Sequence, residues 1–399
     1  MDVSKGVAWL YLINKARQRR QRANRRRVWI HQIVRRRLEF GEFHHLLREL
    51  RSDEGRFQRY FRLSLAQFDD LLTRIGARIS YQDTNYRRSI PAEERLSICL
   101  RFLATGDSYR TIAGSFRVGI STVSMLIPDV VAAIWDCLVE EFMAVLGAEE
   151  WRSIAQDFEV RWNFPQCCGA IDGKHVAVKA PPNSGSMFFN YKGHHSLVLL
   201  AVVDAQYRFR VIDVGGYGRS SDGGIMANSA FGEALREGTL DLPPDQCIPG
   251  ADHRGPQPHV FVADEAFPLR RNLMRPFPGR GGLTPEQRTF NYRLSRARLV
   301  VEDAFGIWSA QWRVFRRHLE VSPEVVEKCV KATCVLHNFM RMAGDGQVPA
   351  PRGAAAGEEP LPGVQRMGAN NATREAVDIR KVFMAHFSEE GALPWQPTE

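Results

Sequence analysis

Seven cysteines in 399 residues, an odd number with no C-x-x-C pair, exclude a disulfide framework and a cysteine-type zinc site. They point instead to a reducing compartment, and adjacent Cys167-Cys168 read as strand or core residues. No H-E-x-x-H zinc motif and no G-x-S-x-G serine motif occurs. Gly215-Gly216-Tyr217-Gly218 lacks G-x-G-x-x-G spacing, which excludes a dinucleotide site. No apolar run approaches membrane-spanning length, so no membrane partner is expected. Residues 6–13 are apolar but few, have no small-residue cleavage site and run into arginine-rich sequence, so they do not read as a signal peptide. No internal repeat is present. The length allows one large or two ordinary domains, each with a real core.

Net charge is also missing from most of the chain. Residues 1–50 hold 13 Lys/Arg against 4 Asp/Glu, while the rest balances at 41 of each, so the formal charge of +9 belongs to the first fifty residues. The basic residues are densest over 15–37 and include Arg25, Arg26, Arg27, Arg35, Arg36 and Arg37. A one-signed, arginine-rich run suits the phosphates of double-stranded DNA or a nuclear import signal better than a solvated helix of alternating charge. A basic arm over 1–50 and a nuclear location are the expectation.

Residues 51–150 carry helical spacing, as in Phe57, Phe61, Leu65, Phe68 and Leu72. Within them, 111–116 reads as a short helix and Val118-Gly119 as a turn. Ser121 reads as the cap of a second helix bearing Thr122, which Pro128 limits or kinks after about two turns. This is a helix-turn-helix pattern, for which DNA contact and simple packing both stay open. Beyond 151 the character changes. Strand-like runs at 167–171, 175–179, 196–204, 209–214 and 259–263, with helical stretches at 225–236 and 291–308, predict an α/β domain with a mixed sheet, ending near 342. Residues 240–255 read as a surface loop. The Ala-, Gly- and Pro-rich 343–376 reads as disordered, and 377–399 as a terminal helix and tail.

Three carboxylates stand in distinctive frames. Asp172 follows the apolar run 169–171, Asp264 follows 259–263, and Glu302 lies inside the 291–308 helical pattern. Strand-end carboxylates deliver oxygen to the carboxyl edge of a sheet, where α/β sheets bind ligands. Clustered carboxylates repel and demand a cation, and oxygen ligands suit Mg²⁺, with Mn²⁺ as the alternative. Two such ions can clamp the attacking and leaving oxygens of a phosphodiester. Glu265 competes with Asp264, and Asp303 with Glu302. Glu302 borders the stripe Leu294, Ala297, Val301 and Phe305, whereas Asp303 is expected further toward solvent. Asp222 reads as a helix N-cap or a further ligand. Lys192, Arg296 and Arg298 read as phosphate contacts or as ordinary polar surface.

At these residues the chain resembles the PIF/Harbinger transposase superfamily. The resemblance rests on Gly169-Ala-Ile-Asp-Gly-Lys-His175, Asn190-Tyr-Lys-Gly193, Ser221-Asp-Gly-Gly-Ile225, Ala263-Asp-Glu-Ala-Phe-Pro-Leu269, Phe290-Asn-Tyr-Arg293 and Leu336-His-Asn-Phe339. It implies an RNase H-like catalytic domain behind a helical segment of helix-turn-helix type. It also implies metal ligands at Asp172, Asp222, Asp264 and Glu302, a DNA endonuclease activity, and a Myb-like DNA-binding partner protein. Glu265, where a small or polar residue is more usual, and Pro128 depart from the pattern. A catalytically silent chromatin protein descended from such an enzyme is the alternative. No oligomeric state follows from the sequence.

Overall fold

The computed structural model describes residues 15, 31–83, 85, 88–279, 282–343 and 372–396, the side chains of Asp222 and Ala343 excepted. Most of the basic arm, with Arg25, Arg26 and Arg27, and most of the expected disordered stretch fall outside these residues.

A helical part comes first: α1 (Gln32–Arg35), α2 (Arg37–Phe40), α3 (Glu42–Leu50), α4 (Glu54–Phe61), α5 (Leu65–Ile79), α6 (Ala92–Thr105), α7 (Tyr109–Phe116), α8 (Ile120–Phe142) and α9 (Ala148–Trp162). Ser108 starts α7 by accepting from the Thr111 amide, and Arg117 ends it in the left-handed region at φ 52°. Two expectations fail here. Ser121 does not cap α8; Gly119 holds that position, without a side-chain bond. Pro128 does not end α8 either. It removes one backbone hydrogen bond, but Ile127, Val130, Val131, Ile134 and Leu138 are all buried, and packing of this kind supplies most helix stability. By length and composition α8 is also apolar enough to cross a membrane, contrary to the sequence reading. Its apolar residues are instead packed against α5, α6, α7 and the later α13 (Pro323–Ala343).

The α/β part holds β1 (Cys167–Ala177), β2 (Ser196–Val203), β3 (Phe209–Tyr217), α10 (Asp222–Asn228), α11 (Ala230–Glu237), β4 (Gln246–Cys247), β5 (Pro256–Gln257), β6 (Val260–Val262), β7 (Leu273–Met274) and α12 (Pro285–Gln311). The main sheet has the order β3-β2-β1-β6-β7. β1 to β3 form an antiparallel meander, and β1, β6 and β7 run parallel. The mixed sheet is the predicted one. All eight residues of β2 are buried, as suits an interior strand covered on both faces. The predicted runs 167–171 and 175–179 are one strand, because Asp172, Gly173 and Lys174 stay paired with Ala201, Leu200 and Leu199 of β2. The 240–255 loop is not wholly on the surface: it contributes β4 to a small ladder and buries Ile248 and Ala251.

Thr284 and Gln287 form a capping box that starts α12, with Pro285 as its first residue. Asn338 of α13 ties the two parts together. Its side chain accepts from the Phe209 amide and donates to the carbonyls of Phe209 and Phe142, the last residue of α8. The terminal helix α14 (Arg374–Ser388) seats Phe383 and Phe387 on Phe164, and Phe387 on Phe290 of α12. All seven cysteines are free.

Glu94 of α6 is 0% exposed, and neither of its oxygens has a hydrogen-bond partner. Arg37 Nε at 3.7 Å is its cationic neighbour, and His44 Nε2, whose proton affinity burial lowers, lies at 3.6 Å. Burial pushes its carboxyl up to about 7, against the pull of Arg37. A folded-state value above the unfolded one means that the folded protein binds the extra proton. That stabilisation is complete below the ordinary carboxylate range and is lost as pH rises through about 7. Denaturant unfolding at pH 5 and pH 8 should show this group costing the wild type about 2 kcal/mol over that span. Glu94→Gln should remove that share of the slope; an unchanged slope in the variant contradicts the assignment.

Candidate metal centre

The parallel pairing of β1 with β6 ends at Ala170↔Val262. Two residues further on each chain stand Asp172 and Asp264. Both therefore stand just past the last β1–β6 pair, at the end of β6. Gly169 and Phe261 share the sheet face that carries Trp151 of α9. Strand alternation therefore gives Asp172 and Asp264 the other face. Asp172 is not at the end of its own strand; it is mid-strand, at the level where the neighbouring strand has stopped.

Each aspartate is fixed by its own backbone. Asp172 Oδ1 accepts from the Gly173 amide at 2.8 Å, and Asp264 Oδ1 from the Ala266 amide at 2.9 Å. Asp264 is half-buried while Glu265 is exposed, which separates the two candidates. Burial pushes the Asp264 carboxyl up; the Ala266 amide and Arg298 pull it down, and the charges of Glu265 and Glu302 push it up again. Arg298 and Glu302, one turn apart on α12, are thus within electrostatic reach of Asp264. They pair with each other, Arg298 Nη1 to Glu302 Oε1 at 2.6 Å. Asp303 is less exposed than Glu302, the reverse of the expectation.

Asp222 is the first residue of α10, and the capping role belongs to Ser221, which accepts from the Gly224 amide. The start of α10 packs on the turn after Asp264: a Cβ at Gly223 would meet the Ala266 carbonyl oxygen at 2.7 Å. Gly223 is a positioning residue that the sequence reading passed over, although the Gly-Gly pair after Asp222 was its signal.

Among the described residues, no three His, Cys, Asp or Glu side chains are gathered tightly enough to hold a metal ion. Asp172 and Asp264 follow the last β1–β6 pair by two residues each, while Glu302, within electrostatic reach of Asp264, is held by Arg298. The donor set is all carboxylate oxygen, which fits Mg²⁺ or Mn²⁺. The like charges around a raised Asp264 fit the same reading.

Of the residues expected to contact DNA, Arg298 lies at this centre, paired with Glu302. Ser121 is exposed and Thr122 half-exposed at the start of α8, and Lys192 is exposed beside the Tyr191 ring. Arg35 and Arg36 are exposed, but Arg36 pairs with Glu39 at 3.1 Å. Arg37 is turned inward, 14% exposed, toward Glu94. Arg296 lies over the Trp395 ring at 4.1 Å. His175, three residues past Asp172, falls on the other face of β1 and contacts Ser196 Oγ at 2.9 Å. Burial, then the charges of Lys192, His194 and Lys174, lower it to about 4, so it is neutral near pH 7.

Residues 171–338 match the family model described as DDE superfamily endonuclease. The chain is 25% identical to an Arabidopsis thaliana protein named ALP1-like over 300 residues, 72% of this chain and 71% of that one. It is 27% identical to the Arabidopsis protein named antagonist of like heterochromatin protein 1, over 74% of this chain and 75% of that one. It is 27% identical to the Homo sapiens candidate nuclease HARBI1, over 80% of this chain and 86% of that one. No solved structure matches the chain.

A raised Asp264 means that its charged form costs the metal-free fold stability. In EDTA, Asp264→Asn should therefore melt higher than the wild type. Saturating Mn²⁺ should raise the wild-type Tm and leave that of Asp264→Asn unmoved, since a ligand that binds only the folded state stabilises it by mass action. Equal Mn²⁺ shifts in the two proteins would remove Asp264 from the site.

Proposed function

We propose that this chain, whose residues 171–338 belong to the DDE superfamily endonucleases, is a divalent-metal-dependent DNA endonuclease of Harbinger transposase type. The observation that supports the reading is the register of β1 and β6, whose last pair, Ala170 with Val262, leaves Asp172 and Asp264 each two residues further on, at the end of β6. The order β3-β2-β1-β6-β7, with an antiparallel meander followed by parallel strands, supports an RNase H-like fold for the domain. The helices of 51–150, packed on α13, would then be a helix-turn-helix-like part, with exposed Ser121 and half-exposed Thr122 facing DNA.

Asp172 and Asp264 would hold the cation from the sheet, Glu302 from α12 and Asp222 from the start of α10. When bound, Mg²⁺ or Mn²⁺ supplies Lewis-acid activation of water and stabilises the leaving 3′ oxygen of a phosphodiester. To join the set, Glu302 must part from Arg298, which frees the guanidinium to bond a DNA phosphate. Burial raises the proton affinity of Asp264, and a bound cation would offset that. The arginine-rich arm, with Arg25, Arg26, Arg27 and Arg35, would hold duplex phosphates and direct the chain to the nucleus. A Myb-like protein would supply sequence recognition.

The name of one Arabidopsis relative refers to heterochromatin, and it favours a second reading, a catalytically silent chromatin-associated protein. Purified protein incubated with supercoiled plasmid and Mg²⁺ or Mn²⁺ separates the two. Nicking or linearisation is expected from the wild type, with a loss of at least a hundredfold in rate for Asp172→Asn at unchanged far-ultraviolet circular dichroism. Cleavage undiminished in the variant refutes the site. A wild type inert on DNA, even with a Myb-like partner added, favours the chromatin reading.

A further inference from the structure

A cleft of about 650 Å³ lies where α4 and α6 meet the turn after α12, well away from the carboxylates. Arg59, Arg62, Arg101, Arg313, Arg316 and Arg317 line it. Asp107 is the one acidic side chain among the lining residues, and it is taken by Arg317 at 3.3 Å. So dense a set of like charges is costly unless an anion fills the space between them. Several of the side chains are held in place. Arg101 stacks on the Tyr60 ring at 3.9 Å, and Arg316 Nε donates to the Ser309 carbonyl at 3.0 Å. Arg62 sits in the left-handed region at φ 66°, its carbonyl accepting from the Gln311 side chain, and its Nε is buried with no hydrogen-bond partner. Burial, then the charges of Arg313, Arg101 and Arg316, lowers the Arg62 guanidinium from its usual range, which confirms how closely the cations crowd.

The cleft also has a fixed relation to the carboxylates. Arg313 follows Glu302 by eleven residues, nearly all in α12, a run of roughly 17 Å. On the other side, Leu319 pairs with the end of β1, its amide donating to Ala177 and its carbonyl accepting from Lys179. Ala177 is five residues past Asp172, again roughly 17 Å. Both routes lead to the edge of the sheet toward which β1 runs from the aspartates. A B-form duplex advances about 17 Å in five base pairs.

We infer that this arginine cleft binds the phosphate backbone of duplex DNA about half a helical turn from the bond at Asp172 and Asp264, and so sets the position of the substrate. The ligand chemistry is a run of phosphodiesters, read without regard to sequence. The inference rests on the chain acting on DNA, but not on its cutting DNA.

The test is binding of a 30-base-pair duplex in EDTA, where no cleavage occurs, over a range of salt concentrations. Arg313→Ala/Arg316→Ala should weaken binding roughly 10- to 30-fold at moderate salt and flatten the log–log salt slope by about 1.8, near 0.9 for each lost phosphate. Arg59→Ala, on the exposed face of α4, should flatten it by about 0.9 and serves if the double variant fails to fold. Inorganic tripolyphosphate is the second arm. Loss of tripolyphosphate binding with an unchanged DNA slope overturns the inference in favour of a small-anion site, and an unchanged slope in every variant overturns it outright. A wild type that binds no duplex overturns this inference and the endonuclease reading together; binding without cleavage overturns the endonuclease reading alone.

Discussion

The structure around the candidate centre depends on where one short strand stops. β6 has three residues, all buried, and pairs with β1 only as far as Val262. The chain then turns, with Asp264 holding the Ala266 amide, while β1 continues under the cover of β2. This leaves Asp172 on a strand that is paired on one side and open on the other. At the same end of the sheet the start of α10 packs on the turn after Asp264, and Arg298 and Glu302 of α12 lie within electrostatic reach of that aspartate. Gly223 shows how tight the closure is, because any side chain there would collide with the Ala266 carbonyl.

Charge explains the rest of the local design. Burial first, and then the charges of Glu265 and Glu302, raise the proton affinity of Asp264. Without a metal the chain offsets the excess internally, with Arg298 neutralising Glu302. The ion pair is half-exposed and so contributes little to stability. It is cheap to break, which suits a carboxylate that changes partner. The arginine cleft poses the opposite problem, cations without anions, within roughly 17 Å along α12. An acidic centre and an arginine-lined cleft joined by α12 match a substrate whose backbone is anionic and whose reaction calls on cations.

Much of this was legible in the sequence. The apolar runs before Asp172 and Asp264, and the helical stripe beside Glu302, gave the strands and the helix, because periodicity survives whatever the tertiary setting. The continuity of β1 through Asp172 and Lys174 was not legible: polar residues in a strand read as a break unless the pairing partner is known. Pro128 misled for the same reason, since the burial that carries α8 past it comes from α13, nearly two hundred residues on. Arg37 looked like part of a basic run and is instead the partner of buried Glu94. The arginine cleft drew on three segments, around 59–62, 101 and 313–317, whose meeting no local pattern announces. Asp222 was placed on the correct helix, but the cap it was thought to provide comes from Ser221.

The central claim is that Asp172, Asp264 and Glu302 serve one divalent-metal centre. A crystal structure of the protein soaked in Mn²⁺, with anomalous scattering recorded at the manganese edge, tests it most directly. The account predicts two ions about 3.5–4 Å apart at the end of β6. They should be ligated by oxygens of Asp172 and Asp264, with Glu302 drawn away from Arg298 to complete the set. Manganese bound elsewhere, or an intact Arg298–Glu302 pair beside an empty β6 end at saturating Mn²⁺, would contradict it.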